Sequence, residues 1–159
     1  MIIDVVIVST SRFQKFGPVE SPAEADDLSG KVILERIEAE GYDYTYRILP
    51  DGVEPVRDAV LNAKGDAMVI CGGTGLAPKD LTIEAVDPLF DKKMPGFGEI
   101  FRLKSLEEVG TRAILTRASA GVVRGVPVFC LPGSPSAARL GIELTLSELV
   151  HILKHISER

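Results

Sequence analysis

The residues richest in chemical possibility lie in one stretch, Gly72-Gly73-Thr74-Gly75-Leu76-Ala77-Pro78-Lys79-Asp80. Glycine permits positive φ and lets a ligand approach the main chain where a Cβ would otherwise stand. Successive N–H groups in such a turn form a concavity that suits an anion. Asp80 adds a carboxylate a few residues on, so the stretch has the parts of a phosphate and metal site. The same composition also suits a plain, tight connection between a strand and a helix. The spacing is neither G-x-G-x-x-G nor G-x-x-x-x-G-K-[ST], and standard dinucleotide or P-loop binding is not indicated. A second turn of this kind is Pro132-Gly133-Ser134-Pro135, with Ser134 as N-cap and Pro135 as the first helical residue. A helix that starts there is again suited to an anion. Ser9-Thr10-Ser11-Arg12 offers hydroxyls and a guanidinium, although a turn rich in Ser and Thr is equally ordinary. His151 and His155 are four residues apart, a spacing that suggests a metal. With no acid or cysteine seen to support them, they read as a solvated helix end.

These groups need a scaffold, and the apolar pattern supplies one. Ile2 to Val8 reads as a β-branched strand, and Ala67 to Cys71 has the length of a strand buried on both faces. Residues 13–27 carry Gly17, Pro18 and Pro22 among charges without periodicity, which predicts a long mobile loop. Asp27 or Ser29 caps a helix that runs to about Glu40, with Ile33, Leu34 and Ile37 on one face and Gly41 as its stop. Tyr42, Tyr44, Tyr46 and Ile48 alternate with polar residues up to Leu49, which predicts a half-exposed strand with an edge or interface face. Pro50-Asp51-Gly52 turns the chain, and Val56, Ala59, Val60 and Ala63 mark a helix that ends near Lys64-Gly65. Asp80 and Thr82 offer caps for a helix through Ile83 to Val86. Pro95-Gly96 opens another, with Phe97, Ile100, Phe101 and Lys104 at helical spacing and Glu99 and Arg102 placed to pair on its surface. Residues 111–116 continue helical until Arg117 to Gly121 break the pattern. Val122-Val123 and Val126 to Leu131 flank Arg124-Gly125, the pattern of a short hairpin. The tail to Arg159 reads as helix with a break around Thr145 to Ser147. The predicted fold is therefore α/β, a three-layer sandwich whose mostly parallel central sheet has helices on both faces and a small hairpin near 122–131. In such sheets ligands lie off the carboxyl ends of the strands, where Ser9, Asp51 and Gly72 to Asp80 converge.

Composition narrows the options. The chain has 159 residues, 45% of them hydrophobic, which fits one domain over residues 1–159 with a closed core. No apolar run approaches a membrane span, and the start lacks the basic flank and cleavage site of a signal peptide. A net charge of −5 gives no basic surplus for nucleic acid, and only 6% aromatic residues leaves little for base stacking. The two cysteines, Cys71 and Cys130, sit inside apolar strand patterns and read as buried thiols of a reducing compartment.

Gly72-Gly73-Thr74-Gly75 with Asp80, then Thr82-Ile83-Glu84-Ala85 and Pro95-Gly96-Phe97-Gly98-Glu99 with Arg102 and Ser105, resembles the MoaB/MogA molybdenum-cofactor biosynthesis family. Thr116-Arg117, Ala120-Gly121 and Leu131-Pro132-Gly133-Ser134-Pro135 extend the likeness. It covers almost the whole chain and is strongest from Met68 to Ala138. The resemblance implies adenylyl transfer in the cytoplasm: molybdopterin and ATP, with Mg²⁺, give adenylylated molybdopterin and pyrophosphate. It also implies a homotrimer or homohexamer without nucleic-acid or membrane partners. By the same resemblance Asp80 matches the family's essential acid and Asp51 a second acid after the preceding strand, and these two carboxylates are the candidate Mg²⁺ ligands. Gly72, Gly73, Thr74, Gly75, Ser9, Glu99, Arg102, Arg117, Pro132, Gly133 and Ser134 are its binding residues. Lys79 stands where many relatives have Arg, Thr116 where Ser is usual, and Ser9-Thr10-Ser11 where many carry a Ser-Asp pair. The alternatives are a module that binds molybdopterin or a nucleotide without turnover, and a hydrolase of another nucleotide, as in competence-damage proteins.

Overall fold

A computed structural model describes residues 1–158. Six strands form one sheet: β1 (Ile2–Val8), β2 (Asp43–Leu49), β3 (Ala67–Cys71), β4 (Lys92–Lys93), β5 (Ser119–Val123) and β6 (Val126–Leu131). Six α-helices accompany them: α1 (Thr10–Phe16), α2 (Leu28–Ala39), α3 (Val53–Leu61), α4 (Thr82–Val86), α5 (Pro95–Val109) and α6 (Pro135–Ser157). The strand order is β2-β1-β3-β6-β5-β4, parallel from β2 through β6 and antiparallel beyond.

The apolar run of β3 and that of β1, interrupted only by Asp4, reflect burial on both faces. Ile3, Val5 and Ile7 of β1, with Ala67, Val69 and Cys71 of β3, pack beneath Ile33 and Ile37 of α2 and Ile142 and Leu149 of α6. Val6 and Val8, with Met68 and Ile70, face the other way onto Val56 and Val60 of α3 and Val86 of α4. The expected three-layer sandwich is thus present, with a core on each side of the sheet. The hairpin is present too, with Arg124 and Gly125 both at positive φ (49° and 82°), as a two-residue turn demands. It is no small appendage, since β6 is a central strand paired to β3.

Several expectations need correction. Residues 13–27 are not a loop: α1 begins at a Ser9 cap, and a 3₁₀ turn at Pro22–Ala25 is closed by a Ser21/Glu24 capping box. Helix α6 runs without a break, because the Thr145 hydroxyl donates to the Gly141 carbonyl within the helix and leaves the ladder intact. Residues 110–115 form a 3₁₀ turn. β2 is the half-exposed edge strand expected, but its tyrosines do not all share an open face. Tyr46 is buried, and its hydroxyl donates to Asp27 at 2.6 Å, while Tyr44 donates to Glu38. Burial first, and the Asp27 hydrogen bond next, push the Tyr46 phenol far above its ordinary pKa. Phe101 is fully buried, and Phe97 packs edge-on against Phe129 with ring centroids 5.3 Å apart.

The parallel strands all end at one edge. β1 has β2 on one side and β3 on the other, so the chain reverses its direction of winding there. That switch point, at the carboxyl ends, is where an open α/β sheet leaves a crevice.

Candidate functional site

Two turns meet at this edge. β3 runs into Gly72 and Gly73, both at positive φ (107° and 67°), and β6 runs into Pro132-Gly133. A Cβ on Gly133 would lie 3.3 Å from the Gly72 Cα, so the turns touch backbone to backbone. Gly72 N donates to the Leu131 carbonyl at 2.9 Å.

The carbonyls of the glycine turn are all engaged. Gly72 O accepts from the hydroxyl of buried Thr82 at 2.8 Å, and Gly73 O accepts from Thr82 N at 2.9 Å. Thr74 O and Gly75 O accept from Arg117, through Nε at 3.0 Å and Nη2 at 2.6 Å. Arg117 is itself held by Glu84, whose carboxyl lies below its ordinary pKa chiefly because of that hydrogen bond. The amides behave oppositely: Gly73, Thr74 and Gly75 N–H have no partner among the described residues. Four carbonyls drawn back and three amides free make an anion cradle.

The cradle opens into a cavity of about 610 Å³, lined by Gly73, Thr74, Gly75, Asp80, Gly133 and Ser134. Pro132 also borders it, so most of the two predicted turns share one space. Ser134 caps α6 by accepting from Ala137 N at 3.2 Å, which sets the helix N-terminus at the cavity wall. That end favours an anion. Asp80 is not the cap of α4, and neither is Thr82. Asp80 instead closes its own turn, with Oδ2 accepting from Ala77 N at 3.1 Å and its N–H donating to Ala77 O at 2.9 Å. Asp51 approaches the turn from another side: a Cβ on Gly73 would lie 3.3 Å from its Oδ1. Its Oδ2 accepts from the Thr10 hydroxyl at 2.7 Å and from Thr10 N at 3.2 Å, which ties the end of β2 to the start of α1.

Other predicted residues lie elsewhere. Ser9 caps α1 by accepting from Arg12 N and does not line the cavity. Glu99 and Arg102 line a neighbouring cavity of about 480 Å³, which Thr116 also borders. They form no surface ion pair; Arg102 reaches toward the carbonyls of Thr116 and Ala118. Ser105, named above only as part of the family likeness, and Glu108 and Arg112, which the sequence reading missed, wall the main cavity from α5 and the turn after it. No local signal marks Arg112 as a site residue, because its place depends on the chain doubling back after Gly110.

Cys71 and Cys130 are buried free thiols. Burial pushes the Cys71 thiol up to about 12, so it is no nucleophile at neutral pH. No group of three or more His, Cys, Asp or Glu able to hold a metal occurs among the described residues. No described helix is long and apolar enough to cross a membrane.

The sequence matches the probable molybdopterin binding domain family over residues 4–152. The chain belongs to that family. It is 44% identical over 156 residues to a Pyrococcus furiosus protein named molybdopterin adenylyltransferase, covering 91% of this chain and 92% of that one. It is 37% identical over 158 residues to a Methanocaldococcus jannaschii protein named probable molybdopterin adenylyltransferase, covering 97% and 93% of the two. The crystal structure of the tungsten cofactor synthesizing protein MoaB from Pyrococcus furiosus superposes with a TM-score of 0.85. It is 42% identical and covers 99% of this chain and 97% of that one. These matches agree with the resemblance read from the glycine turn and the Pro-Gly-Ser-Pro turn, and with the α/β fold expected for the molybdopterin-binding family.

The structure sharpens what a side chain at Gly73 would do. Its φ of 67° is strained for any L residue, at about 1–2 kcal/mol, and a Cβ would collide with the Thr82 hydroxyl that holds Gly72. Gly73→Ala is therefore expected to lower the melting temperature as well as weaken nucleotide and pterin binding. This differs from a purely local effect on ligand approach. Calorimetry of both ligands beside a thermal melt checks it, and wild-type affinity in the variant would remove the cradle role.

Proposed function

We propose that this chain is a molybdopterin adenylyltransferase of molybdenum or tungsten cofactor biosynthesis, which transfers AMP from ATP to molybdopterin and releases pyrophosphate. The observation that carries the reading is the cradle of three unpartnered amides at Gly73, Thr74 and Gly75 beside the α6 N-terminus. The names of the relatives at 44% and 37% identity support the substrate.

The reaction joins a phosphate oxygen of the pterin to the α-phosphorus of ATP as the bond to pyrophosphate breaks. It needs charge neutralised and groups held in line, and no protein nucleophile. A cavity without a reactive thiol suits that. The amides and the α6 N-terminus hold phosphate oxygens, and Arg112 and Ser105 face the ligand from α5 and its following turn. Asp51 Oδ1 and Asp80 Oδ1 accept no hydrogen bond among the described residues, so each carboxylate keeps an oxygen for a hard cation. Mg²⁺ fits this donor set, since it takes one or two carboxylates and completes its shell with phosphates and water. When bound it would neutralise charge on the reacting phosphates. A carboxylate would only repel anions in a passive pocket, so Asp80 in the cavity wall favours turnover over binding alone.

Incubation with molybdopterin, ATP and Mg²⁺, followed by chromatography, is expected to yield an adenylylated pterin and pyrophosphate. Binding of both ligands without product would reduce the chain to a binding module. Release of AMP without pterin adduct would make it a hydrolase.

The chain is also proposed to act as a homotrimer or homohexamer. The apolar surface in support is not the β2 tyrosines but α5 and the turn after it. Ile100, Leu103, Leu106, Ile114 and Leu115 are all about half exposed or more there. Large apolar side chains exposed along one helix and the turn after it suit a contact between copies of the chain. Light scattering is expected to give a trimer or hexamer that Leu103→Glu dissociates, and a stable monomer at micromolar concentration would overturn this.

A further inference from the structure

At the far end of α6, His151 and His155 lie one turn apart on its exposed side. Their Nε2 atoms are 2.9 Å apart and the ring centroids 4.7 Å. Either ring can be the donor in this contact, depending on its tautomer. The Nε2 spacing is also the separation of two neighbouring ligands on one ion. With metal–nitrogen bonds of about 2.0–2.1 Å, nitrogens 2.9 Å apart subtend about 90° at the metal. Tetrahedral Zn²⁺ would need them about 3.3 Å apart. A right angle suits the tetragonal ions Cu²⁺ and Ni²⁺, of which Cu²⁺ binds such donors more tightly.

The second nitrogen of each ring has a carboxylate facing it. His151 Nδ1 lies 3.8 Å from Glu148 Oε2, and His155 Nδ1 lies 3.5 Å from Glu158 Oε2. Both separations are longer than hydrogen bonds, and they leave each carboxylate beside the ring nitrogen it would accept from once the other nitrogen binds a metal, the contact that fixes the tautomer of a ligating imidazole. The sequence reading set the pair aside for lack of a nearby acid. The acids sit one helical turn away on either side, on the same face.

We propose that His151 and His155, oriented by Glu148 and Glu158, form a bidentate binding site for a divalent tetragonal metal ion, Cu²⁺ foremost. The pair borders a cleft of about 540 Å³ between α6 and the β4–β5 strands, so a partly hydrated ion has room. No third His, Cys, Asp or Glu joins it among the described residues, and water fills the other positions. The site is therefore open and exchangeable. By helix rise it stands about 25 Å from the Ser134 cap, and it is separate from the main cavity.

Titration of the full chain with copper sulfate, followed by calorimetry and electron paramagnetic resonance, tests the proposal. The expected result is one Cu²⁺ per chain with a tetragonal spectrum split by two imidazole nitrogens. His151→Ala and His155→Ala each abolish that spectrum. Glu148→Gln and Glu158→Gln retain it and weaken binding by about tenfold. The histidines are exposed, so circular-dichroism melts are expected to match wild type in every variant. The buried thiols of Cys71 and Cys130 do not compete. Unchanged affinity in His155→Ala, or a wild-type spectrum without imidazole nitrogen, would place the ion on other groups and overturn the site.

Discussion

Asp80→Asn is expected to slow adenylyl transfer by about 10²-fold while the melting temperature stays close to wild type. The two halves of that expectation rest on different oxygens. Oδ2 serves the fold by accepting from Ala77 N, and an Asn carbonyl can do the same. No helix depends on it, since α4 starts at Leu81 without a side-chain cap. Oδ1 has no protein partner among the described residues, and it is the oxygen left for a cation or for orienting the reacting phosphates. Gly75 is what brings the carboxylate so near, as a Cβ there would stand 2.6 Å from Asp80 Oδ2. Asn keeps the shape and removes the charge. Molybdopterin binding is expected to survive and to tighten, because an anionic ligand no longer faces a carboxylate. Single-turnover kinetics beside a melting curve separate the roles: a wild-type rate with an unchanged melt would leave Asp80 only closing its turn.

The parts of the fold that could be read in advance are those fixed by burial. β1 and β3 are covered on both faces, so their residues are apolar apart from Asp4 and announce themselves. The α2 boundary could be read because its cap is chemical, with Asp27 accepting from Gly30 N at 2.9 Å. α1 could not, for it buries no residue and therefore has no periodic signature. Only its cap at Ser9 and the positive φ of Gly17 define it. The Ser21-x-x-Glu24 box was a usable signal, hidden by the prolines around it. In the site, the glycine turn and the Gly133 turn were legible from composition because close backbone approach demands glycine. What holds them was not. Arg117 lies more than a whole β-strand connection away in sequence, and it reaches Thr74 and Gly75 only because β5 is threaded beside β6. The division of α5 between two cavities was not legible for a similar reason: it presents Ser105 and Glu108 to the main cavity and its first turns, with Glu99 and Arg102, to the other.

Arg117→Ala is expected to raise the KM for ATP and lower turnover, by about 10- to 10²-fold together, although Arg117 does not line the main cavity. Its guanidinium withdraws the carbonyls of Thr74 and Gly75, and without it those carbonyls are free to rotate toward the cavity and displace the amides. A phosphate would then meet oxygen where it needs N–H. Lysine is expected to rescue little, because one ammonium cannot span two carbonyls and Glu84 as the planar fork does. Acid should act in the same direction. The Glu84 carboxyl is depressed below its ordinary value by Arg117, so its contribution is present above the unfolded-state pKa and is lost as pH falls through the lower folded value. Wild type is therefore expected to lose turn order on acidification, and Glu84→Gln to start from the loosened state and change less. Hydrogen exchange at the Thr82 amide, which donates to the Gly73 carbonyl, followed beside steady-state kinetics, reads the turn directly. Faster exchange with a raised KM in Arg117→Ala is the positioning result. A raised KM with wild-type exchange would mean that Arg117 touches the substrate itself, from the neighbouring cavity it lines with Glu99 and Arg102.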